Sequence, residues 1–393
     1  MKLSALQQRR WANFKANRRA YGSLWIFSFL FAITLFSELI ANDRPILVSY
    51  RGAWLSPIMW FYPETRFGGE FETEAQYTDP IVQCLIYHGG AEECLDEEPV
   101  TTTAPDNEGW IMWPLVPWSY DTINKQAARL PAPPSADNWL GTDETGYDLV
   151  AMTLYGFRLS VSFGLIVTFV STIIGIFAGA AQGYFGGWVD LFFQRVIEIW
   201  SAIPTLYVIM IVSAVIAPNF WLLTGIITLF SWTALVGVVR AEFLRARNFE
   251  YVQAARALGL GDTAIMFRHL LPNAMVATVT MMPFVLTASI GTLATLDFLG
   301  FGLQESYPSL GEIGLQAKKN LQAPWLILTA ITTFAVMLSL LVFIFEGVRD
   351  AFDPRKVFAP RVDDAAQDNM NQDDMTQDDD ATQDDKTKQQ AWA

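Results

Sequence analysis

Residues 199 to 239 contain no Asp, Glu, Lys or Arg. A helix crosses the hydrocarbon core of a bilayer with about 20 apolar residues, so this run is too long for one crossing. Ala217-Pro218-Asn219 sits near its middle, where proline and asparagine favour a turn. The run therefore reads as two crossings. Four further charge-free runs cover residues 24–37, 159–189, 269–296 and 320–345. The first lengthens to about 20 residues when the span is taken as 21–40. With 52% apolar residues, 14 Trp and 28 Phe, the chain is too apolar for an ordinary soluble fold. The expected fold is an all-α multi-pass membrane protein with six transmembrane helices.

Charge sorts by topology. Of the net −14, residues 42–148 supply −13 and residues 362–393 supply −8, which leaves the rest of the chain at +7. The first 20 residues hold six Lys or Arg and no acid, and 240–273 hold five Arg. Arg349, Arg355, Lys356 and Arg361 follow the last apolar run. The positive-inside rule assigns these three regions to the cytoplasm. Both termini are then cytoplasmic, and 42–148 becomes a large external insert. The acidic regions argue against a nucleic-acid partner.

The expected organisation is a basic cytoplasmic N-terminus (1–20), an anchor helix (21–41), the insert (42–148), a five-helix core (149–346) with a cytoplasmic loop at 240–273, and a cytoplasmic C-terminus (347–393). Leu39-Ile40-Ala41 is a poor cleavage site, so the first span reads as a retained anchor. The insert is rich in Pro, Trp, Tyr and acids and suggests small β-containing or irregular structure. Cys84 and Cys94, the two cysteines of the chain, fall there. Such a pair on an oxidising face usually forms a disulfide, contributing about 2–3 kcal/mol. The alternatives are free thiols or a partial metal site with His88, which is short of ligands for a tetrahedral centre. The repeated Gln-Asp-Asp tail after Arg361 is too polar to bury a core and is expected to be disordered.

The polar island 250–273 has the features of a bent helical finger. Ala254, Ala255 and Ala257 favour a helix over 250–258, and Gly259 suits the left-handed position that ends one. Asp262 is placed to cap a second short helix over 263–269, and Pro272 to stop it. The small side chains of Ala254 and Ala255 leave room for a partner, while Arg256 and Arg268 can pair with acids on it.

This finger resembles the Glu-Ala-Ala loop of bacterial ABC importer permeases, and the likeness extends along most of the chain. Leu140-Gly141-Thr142-Asp143-Glu144-Thr145-Gly146-Tyr147-Asp148 resembles the entry to the core of dipeptide and oligopeptide permeases. Gly183-Tyr184-Phe185-Gly186-Gly187-Trp188 and Ile203-Pro204-Thr205-Leu206 are similar to the next loop and span. Asp297-Phe298-Leu299-Gly300-Phe301-Gly302-Leu303, Pro308-Ser309-Leu310-Gly311 and Ala323-Pro324-Trp325 resemble the last external loop. The long insert is similar to that of the microcin C-type peptide permease. Gln253 departs from the pattern, standing where the loop's name-giving Glu is expected.

The resemblance implies a bacterial inner-membrane permease subunit, half of a translocation pathway for peptides. It implies a second homologous permease, ABC ATPase subunits, a periplasmic peptide-binding protein, the peptide substrate and membrane lipid as partners. Glu250, Tyr251, Ala254, Ala255, Arg256, Gly259, Asp262, Arg268 and Pro272 would form the ATPase-coupling loop. No cofactor, metal or catalytic residue is implied. The phosphate-cradling Gly-Lys-Ser/Thr pattern is absent, so ATP hydrolysis is left to partners. A secondary transporter would want ionisable groups in mid-span, whereas Glu38, Glu198, Asp297 and Glu346 fall near span ends. A membrane-anchored receptor would make the insert its working part.

Overall fold

The computed structural model describes residues 5–95, 109–125, 127, 129–304 and 306–352. The Asp-rich tail lies outside them. The chain divides into two compact units: Gly22–Phe345, and Met1–Tyr21 together with Glu346–Ala393. In the second of these, α1 (Ala5–Ala16) buries Phe14. A side chain added at Gly347 would run into Phe14 and Ala20, and Arg10 stacks 4.6 Å from the Phe352 ring centroid.

The anchor is divided between α2 (Arg18–Leu35) and α3 (Ser37–Ile40). With 18 residues, α2 is about 27 Å long, and its first turn spends Arg18 and Arg19 on the polar side. Among the described residues four helical stretches are long and apolar enough to cross a bilayer, and a bent pair makes a fifth if it is counted as one span. Of the six expected crossings, the anchor is the one whose helix falls short by itself.

The insert is built on a three-stranded antiparallel sheet in the order β2-β1-β3, from β1 (Leu47–Tyr50), β2 (Ala53–Leu55) and β3 (Gly109–Met112). Helix α4 (Pro80–Tyr87) starts at Asp79, whose carboxylate caps the Ile81 N–H. Val48, Leu55, Phe67, Tyr77, Leu85 and Ile86 form its core. Cys84 and Cys94 are joined as a disulfide within it, with Cα atoms 5.7 Å apart. The insert is tied to the membrane body where Tyr155 donates from its hydroxyl to the Ala41 carbonyl at 3.0 Å.

The core begins with α5 (Leu149–Phe185), whose 37 residues make a rod of about 55 Å. It outruns the roughly 30 Å hydrocarbon layer, so its ends reach past both faces. The pair α6 (Gly187–Ser201) and α7 (Thr205–Val215) is bent by 63° at Pro204. After the break at Pro218 come α8 (Phe220–Ser231) and α9 (Thr233–Ala246). Gly175, Gly179 and Gly183 recur every fourth residue along α5. Side chains there would strike α9 at Leu235, Val239 and Phe243. This small-residue seam brings two helices close without a hydrophobic drive between them in lipid.

The finger carries α10 (Glu250–Ala257) and α11 (Asp262–Ala264). A π-helical turn over Ile265–Leu270 then runs directly into α12 (Leu271–Phe298). The last elements are α13 (Leu310–Lys319) and α14 (Pro324–Phe352). Phe157, Val161, Leu286, Ile290, Met337 and Leu341 gather α5, α12 and α14 into one apolar core. Many large apolar side chains on α5 to α7 and α14 face outward, as lipid-facing helices require.

Candidate functional site

The finger projects from a dry neck. Val252 and Ala255, one helical turn apart on α10, are buried against Phe243 and Ala246 of α9, Ile265 and Met266 of the π turn, and Ala180 of α5. Phe249 precedes α10 in extended conformation, and Glu250 lies in the first turn, where the helix dipole favours an acid. Gly259 ends the helix with φ +80° and open space around it. An L side chain there costs about 1–2 kcal/mol.

Polar contacts hold the second limb. Tyr184, near the end of α5, donates from its hydroxyl to Asp262 Oδ1 at 2.5 Å. Its ring also sits 5.2 Å from the Arg256 guanidinium carbon. Tyr251 Oη accepts from Asn273 Nδ2 at 3.2 Å, which joins the two limbs at their base. Behind the neck, Arg240 grips Asp190 through Nε and Nη2 at 2.5 and 2.7 Å. Arg247 Nη1 reaches the Gly183 carbonyl at 3.4 Å, at the carbonyl end of α5, where a cation is favoured.

What remains exposed is the tip. Leu258 is 81% exposed, flanked by exposed Glu250, Gln253, Ala254, Arg256 and Ala257. Arg268 and Pro272 are exposed on the second limb. Gln253 turns back onto the Asn248 carbonyl at 3.0 Å. An apolar knob ringed by small and charged residues, on a stiff base, can enter a pocket on another protein.

Three expectations about the finger change. Ala255 faces the neck and not a partner, because the apolar phase of α10 is set by Val252; Ala254 is the small exposed residue. Asp262 is the first residue of α11 and makes no cap bond, since Gly261 occupies the cap and Tyr184 claims the carboxylate. Pro272 does not end a helix. It falls in the first turn of α12, where its missing N–H costs little, and the π turn absorbs the join. Tyr184 and Leu258 lie outside the expected set of coupling residues, although Tyr184 stands in the Gly183–Trp188 motif. Its partner is 78 residues away, a distance no local pattern spans.

At the other end of α5 the quoted motifs meet in a polar knot. Asp143 is buried; its Oδ1 accepts from the Thr145 and Tyr147 N–H groups at 2.9 and 2.8 Å, and its Oδ2 from Gln316 Nε2 at 3.1 Å. Asp148 caps α5 through the Ala151 N–H at 2.9 Å and accepts from Asn138 Nδ2 at 2.9 Å. Burial pushes its carboxyl above the ordinary range, and those hydrogen bonds oppose the shift. Asp297 accepts from the Ser309 hydroxyl at 2.5 Å and the Leu303 N–H at 2.7 Å, and Ser309 caps α13. Trp325 Nε1 donates to the Thr142 carbonyl at 3.3 Å. These residues fix the frame; among the described residues no cluster of His, Cys, Asp and Glu fits a metal.

Comparison with known proteins supplies the family. Residues 171–357 match the model for the binding-protein-dependent transport system inner membrane component. The inner membrane ABC transporter permease protein YejE of Escherichia coli (strain K12) is 52% identical over 90% of this chain and 99% of its own length. The peptidoglycan transport system permease protein YejE of Agrobacterium fabrum is 51% identical over 90% of this chain and 94% of its own. The dipeptide transport system permease protein DppC of Bacillus subtilis is 31% identical over 60% of this chain and 74% of its own. The E. coli relative extends the likeness through the insert, beyond the residues matched by the family model. The chain thus belongs to the binding-protein-dependent transport inner-membrane components and is a multi-pass inner-membrane permease subunit of an ABC transporter.

Proposed function

We propose that this permease imports peptides as one of two membrane halves of an ATP-driven importer, and that residues 250–273 pass the motion of the ATPase subunits to it. The carrying observation is the finger, whose apolar tip at Leu258 is presented to solvent on a base locked to α5 and α9. The second homologous permease completes the pathway, and a periplasmic binding protein delivers substrate. The basic regions support cytoplasmic termini and six crossings in all, with α2 and α3 together as the anchor. ATP hydrolysis belongs to the partners. The pathway rocks between inward and outward openings because the two states differ in affinity for the ATP-bound subunits.

The names of the relatives, which give peptidoglycan and dipeptide transport, support a peptide-bearing substrate, and the resemblance of the insert adds a microcin C-like compound as a special case. In the cell the Cys84–Cys94 pair is proposed to be oxidised, as befits an external insert.

Uptake of a labelled tripeptide in cells lacking this chain, complemented by the parent or by Leu258→Glu, tests the reading. The expected result is normal membrane levels of both proteins, with the ATPase co-purifying only with the parent and uptake restored only by it. Unchanged uptake without this chain overturns the substrate. Normal ATPase retention by Leu258→Glu overturns the role of the finger.

A further inference from the structure

The join between the insert and the core lies near the edge of the hydrocarbon layer. Glu38 is the first charge after the first apolar run, and Arg158 the last before that of α5. They bond to each other at 2.8 and 3.0 Å, so both mark one level, where the apolar zone begins. Ala41 is held just beyond that level by Tyr155, which precedes Leu159 by about 6 Å of helix. Val116 is pinned beside it. Its carbonyl accepts from the Asn42 N–H at 3.1 Å, and its N–H donates to the Ile40 carbonyl at 2.9 Å. The headgroup layer is about 5–7 Å deep on each face of a bilayer. The join is therefore at headgroup depth.

The sheet of the insert hangs from this join by one end. Ile46 follows Ala41 by five residues and can lie no more than about 18 Å from it. There it donates from its N–H to the Met112 carbonyl at 2.9 Å and accepts from the Ser56 hydroxyl at 3.0 Å. β1 runs away from that end, and β2 and β3 run back to it. The turn after β2 is thus on the side of the join, and the Arg51–Gly52 turn is at the far end. The join-side turn carries Met59, Trp60 and Phe61, which are 74, 68 and 60% exposed. Leu115, next to Val116, is 67% exposed. Trp54 and Trp110 meet edge to face at 5.6 Å. They lie on the sheet face opposite to Val48 and Leu55, which the insert's own core covers.

Charge is kept away from these side chains. The insert has a net charge of −13, yet 52–63 and 109–120 contain no Asp, Glu, Lys or Arg. Exposed apolar patches mark protein or membrane contacts. Headgroup depth, tryptophan at an interface and continuity with exposed Phe36 and Leu39 on α3 all favour lipid. We propose that Met59, Trp60, Phe61 and Leu115 form a foot that enters the bilayer interface and seats the insert on phospholipid. Apolar burial drives its entry, with no call for anionic headgroups, because the foot has no charge of its own. It gives the sheet a second support besides the join at Ala41 and Val116.

The test is spin-label depth in the full-length chain, in nanodiscs of phosphatidylethanolamine and phosphatidylglycerol. The two native cysteines are bonded to each other, so a single new thiol can be labelled. The sites are Trp60→Cys, Leu115→Cys and, as a control at the far turn, Arg51→Cys. The ratio of accessibility to oxygen over a water-soluble nickel chelate should be at least fivefold higher at 60 and 115 than at 51. A tenfold rise in salt, or omission of phosphatidylglycerol, should leave it unchanged. Met59→Ser with Phe61→Ser should lower the ratio at 60 at least threefold, while the Cys84–Cys94 bond still forms. A ratio at 60 and 115 equal to that at 51, or labels screened from both reagents, overturns the proposal. So does a ratio that rises only when a second permease or a binding protein is added, which makes the patch a protein docking surface. Loss of the ratio in high salt overturns the apolar drive.

Discussion

The two ends of α5 are built by opposite means. At the N-terminal end, Asp143, Asp148, Asn138 and Gln316 form a buried hydrogen-bonded network. At the C-terminal end, the finger is held by an apolar neck and leaves Leu258 and its neighbours bare. A satisfied buried network fixes a single geometry and is costly to break piecemeal. An apolar neck tolerates small sliding, and an exposed knob gains its full burial only when something covers it. The contrast separates a permanent joint from an exchangeable one.

The strongest way to break the comparison is to put a charge in the neck. Val252→Asp places an unpaired carboxylate among Phe243, Ile265 and Met266, an expected loss of about 3–5 kcal/mol in local stability. Hydrogen exchange over 250–270 should rise to near the unprotected rate while 141–148 stays protected. Should the 141–148 segment open as well, the two ends are one cooperative unit and the contrast fails.

Next in size, Asp143→Ala leaves the Thr145 and Tyr147 N–H groups and Gln316 without their acceptor. Roughly 2–4 kcal/mol of local stability should go, read as faster exchange over 141–148 and 310–320, with ATPase retention by the finger unchanged. A third variant sharpens the difference at the tip. Leu258→Glu should leave exchange in the neck unaltered, because the side chain touches nothing there, yet abolish co-purification of the ATPase.

Asp148 gives the knot a pH signature. Its carboxyl is raised by burial, so the folded state prefers the protonated form. That preference is fully present below the unfolded value of about 3.9 and is lost as pH rises through the folded value. Asp148→Asn keeps a good N-cap without the charge. The variant should therefore melt higher than the parent at pH 7, and the gap should shrink on approach to pH 4. A gap independent of pH would show that the carboxylate is not penalised. The smallest effect is expected from Tyr184→Phe, which removes one bond to Asp262. About 1 kcal/mol should be lost, more for a charged acceptor, seen as faster exchange at 262–266 alone.

Much of this was legible in the sequence. Charge-free runs located the four long apolar helices and the bent pair, and Gly259 marked the bend, because membrane insertion and positive φ are demands that single residues or runs must meet. The direction of Ala255 was not legible. Two adjacent alanines carry no phase of their own, and only the neck contributed by α5, α9 and the π turn decides which is inside. Pro272 misled for a related reason: a proline reads as a stop unless one knows that a new helix begins beneath it. The quoted motifs around Asp143, Asp297 and Ser309 were found as a resemblance, yet their meeting in one knot depends on contacts such as Gln316 to Asp143, 173 residues apart.

The length of α5 has a mechanical consequence. A rod of about 55 Å anchored at its N-terminal end acts as a lever with the knot as fulcrum. A tilt of about 10° at the fulcrum carries the far end through about 10 Å, given that length. Tyr184 and Gly183 sit at that far end, gripping the finger through Asp262 and Arg247. A small angular change at the knot is thus a large linear displacement at the finger, and the reverse stroke trades distance at the finger for leverage at the knot.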